Sequence, residues 1–315
     1  MKNIFILGGL GHIGSGWVRH LSTKFETSKI TIIDNLDTQR FSSLFARPKN
    51  VKKFINLDIR NPELVNELAE ADIVFQFAAL TNADPKINSP HNIWENNVVG
   101  TKNVLAACKK LNVPLIFPSS TSVYEKSSGK VNEETQIEKP DNPYSAGKFE
   151  EEFLIQEYEK GIVLRLGTIH GISPGMRFHT AVNKFCWQAV NGIPLTVWDN
   201  SASLTSPYLS LNDLYQVLDQ IVSNDLIFGR RLINLVSHNS TPSEIIRIID
   251  KFVPQTSIQK IQDERNRSSG ILVESKESLI KNLKFTSSAE KDIESTINLL
   301  LDENFSWQKY YEETA

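Results

Sequence analysis

Tyr144 and Lys148 stand four residues apart in a stretch of helical pattern, and Ser119-Ser120 begins 25 residues upstream of Tyr144. Residues i and i+4 share a helix face, so the phenol and the ammonium point the same way. A free tyrosine, with a pKa of about 10, is a poor base at neutral pH. A nearby cation favours the phenolate, and Lys148 can supply that charge. A serine hydroxyl can hold a substrate oxygen while Tyr144 takes or returns its proton. Together these groups suit movement of a hydride to or from a bound nicotinamide.

A place for the nicotinamide nucleotide is written near the N-terminus. Gly8-Gly9-Leu10-Gly11-His12-Ile13-Gly14 follows an apolar strand and opens a helix. It holds a G-x-G-x-x-G (Gly9, Gly11, Gly14) and a G-x-x-G-x-x-G (Gly8, Gly11, Gly14). Missing side chains let the backbone approach a pyrophosphate seated on the helix N-terminus, which His12 and Ile13 begin. Glycines alone also serve tight turns. Here Asp34 adds a carboxylate 20 residues past Gly14, at a strand end, where ribose hydroxyls are met. That carboxylate repels a 2′-phosphate and no Arg follows it directly, so NAD is expected over NADP; Arg40, a few residues on, pulls the other way. Asp58-Ile59, after the third strand, meets the adenine or caps a helix before Asn61-Pro62.

The elements that must position these groups follow a rhythm. Strands are expected at Asn3–Leu7, Lys29–Ile33, Val51–Leu57, Asp72–Phe77, Pro114–Phe117 and Ile162–Leu166. Helices are expected at His12–Phe25, Asn61–Glu70, Pro90–Leu111 and Tyr144–Lys160. Short apolar strands alternating with helices imply a parallel sheet covered on both faces, an α/β doubly wound Rossmann fold. After about Gly167 the rhythm loosens. Gly171, Pro174 and Gly175 mark a loop. Helices are expected at Thr180–Asn191, Leu211–Ser223, Ser243–Phe252 and Ala289–Asp302, and a strand at Pro194–Trp198. We read 1–167 as the dinucleotide-binding domain and 168–315 as a smaller substrate-binding domain interleaved with it. Glu150-Glu151-Glu152 reads as a solvated helix face. There is no internal repeat and no low-complexity stretch.

The composition bounds the rest. The 315 residues suffice for one large domain or two smaller ones. A net charge of -3 gives no electrostatic reason to expect nucleic acid or an acidic membrane. The two cysteines, Cys108 and Cys186, sit in apolar helical patterns, so a reduced, cytoplasmic protein is expected rather than a disulfide framework. Ile4–Leu7 is too short for a signal-peptide core. No apolar run approaches the roughly 20 residues of a membrane span. No metal is expected.

In family order and spacing stand the glycine loop, Asp34-Asn35-Leu36, Asp58-Ile59-Arg60, Phe77-Ala78-Ala79, Asn97-Val98-Val99-Gly100-Thr101, Ser119-Ser120 through Val123-Tyr124, and Tyr144 to Lys148. On these motifs the chain resembles the extended short-chain dehydrogenase/reductases, specifically the NAD-dependent epimerase/dehydratase group acting on nucleotide sugars. The resemblance runs from Met1 to about Leu283. It implies that Ser120 is the catalytic hydroxyl, Tyr144 the acid/base, and Lys148 the residue that binds the nicotinamide ribose and tunes Tyr144. It implies that Asn35, Phe77, Ala78 and Ala79 line the cofactor. Asn97 would sit near the site, in a direct role or as a hydrogen-bonded helix residue. Thr81, Ser120, Ser122, Tyr144, Thr168 and Arg177 are the candidate substrate contacts.

Departures from the family pattern narrow the chemistry. Gln76 stands where His is frequent. Thr168 replaces the usual Asn after Arg165 and keeps a hydroxyl for the substrate. His170 stands where Tyr is frequent and reads as a packing or loop residue. Ser206, in Thr205-Ser206-Pro207-Tyr208, stands where many members carry an Arg that grips the nucleotide diphosphate. A hydroxyl does not replace a bidentate Arg, and Arg177 in the Gly175-Met176-Arg177 loop is the candidate to compensate. The sugar 4,6-dehydratases of the family carry an Asp-Glu pair where this chain has Thr121-Ser122, and the sugar-acid decarboxylases carry Glu at the Ser122 position. What remains is oxidation at a sugar carbon and return of the hydride. Rotation of the ketone before return gives 4-epimerisation. Without rotation the enzyme is an NAD-dependent dehydrogenase or reductase of a ketosugar or small hydroxy compound. A cofactor-sensing protein without chemistry would be expected to lose the Tyr or the Lys, and both are present.

The resemblance also implies a homodimer, paired through Pro90–Leu111 and Tyr144–Lys160. Val98, Val104 and Leu105 on the first of these could equally be core against the sheet. Thr180–Lys184 and Leu195–Trp198 are where a nucleotide base would be recognised, and an outer-polysaccharide pathway follows by family alone.

Overall fold

The computed structural model describes residues 2–45, 47–82, 87–223, 231–262, 269–276 and 285–301. Its centre is a seven-stranded sheet made of β1 (Asn3–Leu7), β2 (Lys29–Asp34), β3 (Val51–Asn56), β4 (Ile73–Gln76), β5 (Leu115–Ser120), β7 (Gly161–Leu166) and β11 (Arg231–Leu235). The order across the sheet is β11-β7-β5-β4-β1-β2-β3, with every neighbouring pair parallel. The order reverses beside β1, between β1 and β4. That is where an open α/β sheet leaves a crevice at its strand ends. The doubly wound Rossmann fold expected from the strand-helix rhythm is the fold observed.

Apolar strands buried on both faces need helices on both faces. On one side lie α1 (His12–Lys24) and α7 (Leu211–Ser223), whose Trp17, Leu21, Leu214 and Leu218 pack with Ile4, Ile6, Ile30 and Phe75. On the other lie α2 (Leu64–Glu67), α4 (Gly100–Leu111) and α5 (Pro143–Gln156), which bury Leu64, Val104 and Ile155 against Phe5, Val74 and Phe117. Each leucine-sized side chain so buried contributes roughly 1.5–3 kcal/mol.

Three helices differ from expectation, one of them only at its end: the helix expected over Tyr144–Lys160 stops at Gln156. The helix expected over Asn61–Glu70 is only Leu64–Glu67. Asn61 instead makes an Asx turn, its Oδ1 accepting from the Glu63 amide at 2.8 Å. The long helix expected over Pro90–Leu111 is α3 (Pro90–Trp94), a π turn at Glu95–Val99, then α4. Val98, Val104 and Leu105 are buried within the chain.

The second half contributes to both parts. Its β11 closes the central sheet against β7, and α7 covers α1. A three-stranded sheet joins β8 (Thr168–His170), β10 (Ser206–Ser210) and β12 (His238–Ser240). The pairs β9 (Leu195–Trp198) with β13 (Ile258–Ile261) and β6 (Gly129–Val131) with β14 (Ile271–Val273) are parallel. A satellite core gathers α6 (Ala181–Val190), α8 (Pro242–Phe252) and α9 (Ala289–Leu301). Asp302, the expected end of the last helix, lies outside the described residues. Among the described residues no helix is long and apolar enough to cross a membrane. Cys108 and Cys186 are free and buried, and burial pushes both thiols up to about 12.

Candidate active site

A cleft of about 420 Å³ opens where β1 meets α1. Gly8 turns the chain out of β1 at φ +73°, a left-handed conformation natural to glycine. A Cβ there would meet the Ala78 amide nitrogen at 2.4 Å. The loop therefore lies flat against the chain leaving β4. Gly11 is the N-cap of α1 and offers no side chain to it, and the first turn has no acidic residue. The helix N-terminus is thus left for an external anion, the fit a dinucleotide pyrophosphate requires.

Gly8, Gly11, His12, Ile13 and Gly14 all line the cleft, as do Asp34 and Asn35. Asp34 receives the Leu10 amide at 3.1 Å and the Leu36 amide at 2.9 Å, which ties the glycine loop to the end of β2. Burial raises its carboxyl above the usual range, and those two amides work against the shift. Leu36 takes φ +62° to make that turn. Ile59, Phe77, Ala78, Ala79, Thr81 and Arg177 complete the expected set along the cleft.

Asp58 and Asn97 are placed differently. Asp58 holds Arg60 through two side-chain bonds, at 2.8 and 2.7 Å, and receives Asn35 at 3.0 Å. The Arg60 bonds lower its carboxyl to about 2. It neither caps α2 nor stands among the lining residues, and it fixes the Asn35 side chain instead. Asn97, fully buried in the π turn, accepts from the Leu80 amide at 2.8 Å and donates to the Leu80 carbonyl at 2.9 Å. Its amide shapes the loop after β4, as a hydrogen-bonded helix residue. Asn96 is its neighbour on the cleft wall.

The chemical residues come from two elements. Tyr144 and Lys148 are on α5, begun by Asn142, whose Oδ1 accepts from the amides of Tyr144 and Ser145, and by Pro143 at its first position. Lys148 is buried, its Nζ 4.3 Å from the Phe117 ring centroid and 5.9 Å from that of Tyr144. Ser120 ends β5 and caps the short turn Thr121–Tyr124, its Oγ accepting from the Ser122 amide at 3.1 Å. The buried Ser122 Oγ has no hydrogen-bond partner, and Thr121 donates to the Leu166 carbonyl at 3.2 Å. Thr168 is half-buried on β8 beside Tyr208. None of Ser120, Ser122, Tyr144, Lys148 or Thr168 lines the cleft around the glycine loop.

Arg177 connects the two groups. It lines the cleft and donates to Thr81 Oγ1. Burial lowers it to about 10, while Tyr144 acts in the opposite direction. Its loop is pressed onto the glycine loop. A Cβ on Gly175 would meet the Leu10 carbonyl at 2.2 Å, and the Gly175 amide donates to Ser15 Oγ at 2.8 Å. Arg40, lining the same cleft, donates to the carbonyls of Gly175 and of Met176. The sequence marked Arg40 only for cofactor preference. His12 Nδ1 lies 2.7 Å from Ser173 Oγ on this loop, and burial, then Arg177, push the imidazole well below its usual value.

The glutamate run is not a solvated face. Glu150 is half-buried, Glu151 is fully buried and Glu152 nearly so. Glu152 pairs with Arg165 at 2.6 Å and accepts from Ser119 Oγ, the residue before Ser120. Arg165 also donates to the Tyr124 hydroxyl at 2.7 Å. Lys148, Glu151, Glu152 and Ile155 follow i, i+3, i+4, i+7 spacing, the signature of a buried helix face. That spacing was readable, and the charges hid it. His170 is fully buried on β8, with Nδ1 2.9 Å from Asp292 Oδ2 on α9. It packs, as expected.

The chain matches the NAD dependent epimerase/dehydratase family over residues 4–232. It is 30% identical over 244 residues to the dTDP-D-glucose 4,6-dehydratase of Dictyostelium discoideum, covering 70% of this chain and 56% of that protein. It is 32% identical over 187 residues to the UDP-glucose 4-epimerase of Mycoplasma pneumoniae, covering 55% of this chain and 54% of that one. The chain thus spans little more than half the length of these two relatives. Among solved structures, the UDP-glucuronic acid 4-epimerase of Bacillus cereus, in complex with UDP-glucuronic acid and NAD, has a TM-score of 0.79 at 23% identity. That likeness covers 95% of this chain and 99% of that one.

Proposed function

The chain belongs to the NAD dependent epimerase/dehydratase family, as an NAD-dependent enzyme of the extended short-chain type, and from that premise we propose that it is a nucleotide-sugar 4-epimerase. One observation carries the choice within the family. The turn beside Tyr144 offers Thr121 and Ser122 and no carboxylate, and Thr121 is already bonded to Leu166. Elimination needs an acid to protonate the leaving hydroxyl and a base for the C5 proton. Oxidation and return at one carbon need neither.

NAD, when bound, would take a hydride from the sugar C4 and give it back. Gly8, Gly11 and the α1 N-terminus would hold its pyrophosphate, Asp34 its adenosine ribose, and Lys148 its nicotinamide ribose. Tyr144 removes the 4-hydroxyl proton and later returns it. Ser120 holds the 4-oxygen, and Arg177 neutralises the diphosphate in place of the Arg absent at Ser206. The sugar turns over in the site as the 4-ketone before reduction. We read the enzyme further as a cytoplasmic homodimer. Phe153 on α5, 57% exposed and packed edge-on to Phe149, leaves an apolar edge on one of the helices that would pair. Light scattering would then give about twice 35.6 kDa, and the monomer mass would remove the dimer.

The test is mass spectrometry of nucleotide released from the denatured protein, then incubation with UDP-, GDP- and dTDP-sugars without added cofactor. Released NAD and a C4-inverted product are expected. Turnover only with added NAD or NADH, with a net change in nicotinamide absorbance, favours the dehydrogenase or reductase reading that Ser206 supports. A 4-keto-6-deoxy product contradicts the reading of Thr121-Ser122.

A further inference from the structure

We propose that Glu151 is the counter-ion that keeps Lys148 charged and in place beside Tyr144, a positioning residue for the proton transfer; this rests on reading Lys148 as the partner of Tyr144. Glu151 Oε2 lies 3.3 Å from Lys148 Nζ, and the two side chains are 1% and 3% exposed. Beneath the ammonium is the Phe117 ring. A lysine so enclosed is driven toward the neutral amine unless an anion faces it.

Hydrogen bonds tie Glu151 to the elements beside it. Gln76 Nε2 donates to Thr101 Oγ1 at 3.2 Å, and Thr101 Oγ1 donates to Glu151 Oε1 at 2.6 Å. A threonine hydroxyl has one proton to give, and here it goes to the carboxylate. Glu151 therefore accepts toward α4 through Oε1 and faces Lys148 with Oε2. The chain β4, α4, α5 leads from the fully enclosed Gln76 to the ammonium without reaching solvent. The other groups around the pair are accounted for. Tyr144 is on the same helix. β4 and α4 bring the neutral Gln76 and Thr101, β5 brings Phe117, and on β7 Arg165 is paired with Glu152.

Removing one member of a buried ion pair leaves the other uncompensated. In Glu151→Gln the amide oxygen can still accept from Thr101, but the charge is gone. The experiment is a pH titration of the Lys148 side-chain signal by NMR in lysine-labelled protein, assigned with Lys148→Arg. In the parent and in Glu151→Asp, the signal is expected to stay fixed between about pH 6 and 9, below the ordinary lysine range. In Glu151→Gln it should move within that window. On the substrate found active, kcat of Glu151→Gln should fall at least about tenfold as pH rises across the same window, with KM unmoved.

A Lys148 signal fixed in Glu151→Gln, or a pH profile overlying the parent's, overturns the proposal. So does a parent signal that moves between pH 6 and 9, which needs no variant to fold. The titration needs no substrate, so its outcome stands apart from whether the enzyme is an epimerase.

Discussion

The two ends of the site are built from different materials. Around the glycine loop the chain presents backbone: the α1 N-terminus, the close approach of Gly8 to Ala78, and a carboxylate that braces the loop through two amides. Around Tyr144 it presents side chains, and their places depend on buried charges. Lys148 faces Glu151, Ser119 and Arg165 share Glu152, and Arg177 arrives from the second half. A backbone-built end tolerates changes at the other end, because its donors are fixed by the fold. A side-chain-built end fails one interaction at a time. Binding of cofactor and chemistry should therefore come apart under mutation.

The largest separation is expected from Tyr144→Phe. Turnover should fall by roughly 10²–10⁴-fold, the usual worth of a positioned acid/base. NAD affinity by calorimetry should stay within about twofold, since the loss is one hydroxyl remote from the glycine loop. A matching loss of NAD binding would break the contrast between the two ends.

Glu152→Ala sharpens it within the chemical end. Arg165 would be left buried without its partner, at a cost of about 3–5 kcal/mol in chemical denaturation. The folded fraction should keep the parent's pH profile, unlike Glu151→Gln. If both substitutions moved the profile alike, the neighbouring glutamates would not have separate tasks.

Arg177→Met tests the residue that joins the ends. Loss of one charge-assisted contact of about 1.5–3 kcal/mol should raise KM for the nucleotide sugar by roughly 10–100-fold. The melting temperature should change little by comparison, because Arg40 and Gly175 still seat the loop. An unchanged KM would assign the diphosphate to another group.

The smallest effect is on stability with pH. Burial brings His238 down to about 4, and burial and Arg177 hold His12 well below its usual value. Both imidazoles are neutral in the fold, while in the unfolded chain they take a proton near pH 6.5. Their contribution to stability is present above about pH 6.5 and is lost as pH falls from there toward 4. Melting curves at pH 7.5 and 5 should show the drop, and His238→Gln should make it shallower. A melting temperature that rises on acidification would contradict the neutral assignment.

The same contrast explains what could be read from the residues alone. Gly8 to Gly14 and Asp34 are local to one strand-turn-helix-strand unit, so spacing was enough. Tyr144 and Lys148 share one helix, so their common face was readable too. Arg177 was named, but its loop is seated through Gly175 on Leu10 and Gly11, more than 160 residues away in sequence. Glu151 and Glu152 were misread because charge usually marks solvent, and their partners Thr101 and Arg165 lie on other elements. The π turn at Glu95–Val99 left no compositional trace. Within it Asn97 bonds the backbone of Leu80, a residue 17 positions away on the loop after β4.

The most direct test of the central claim uses the protein with no cofactor beyond what purifies with it. It is incubated in D₂O with the UDP-, GDP- and dTDP-sugars, and products are followed by proton NMR. The account expects a C4-inverted sugar whose C4 hydrogen remains protium, because the hydrogen leaves and returns within the site. Deuterium at C4, a 4-keto-6-deoxy product, or conversion only after NAD or NADH is added would contradict it.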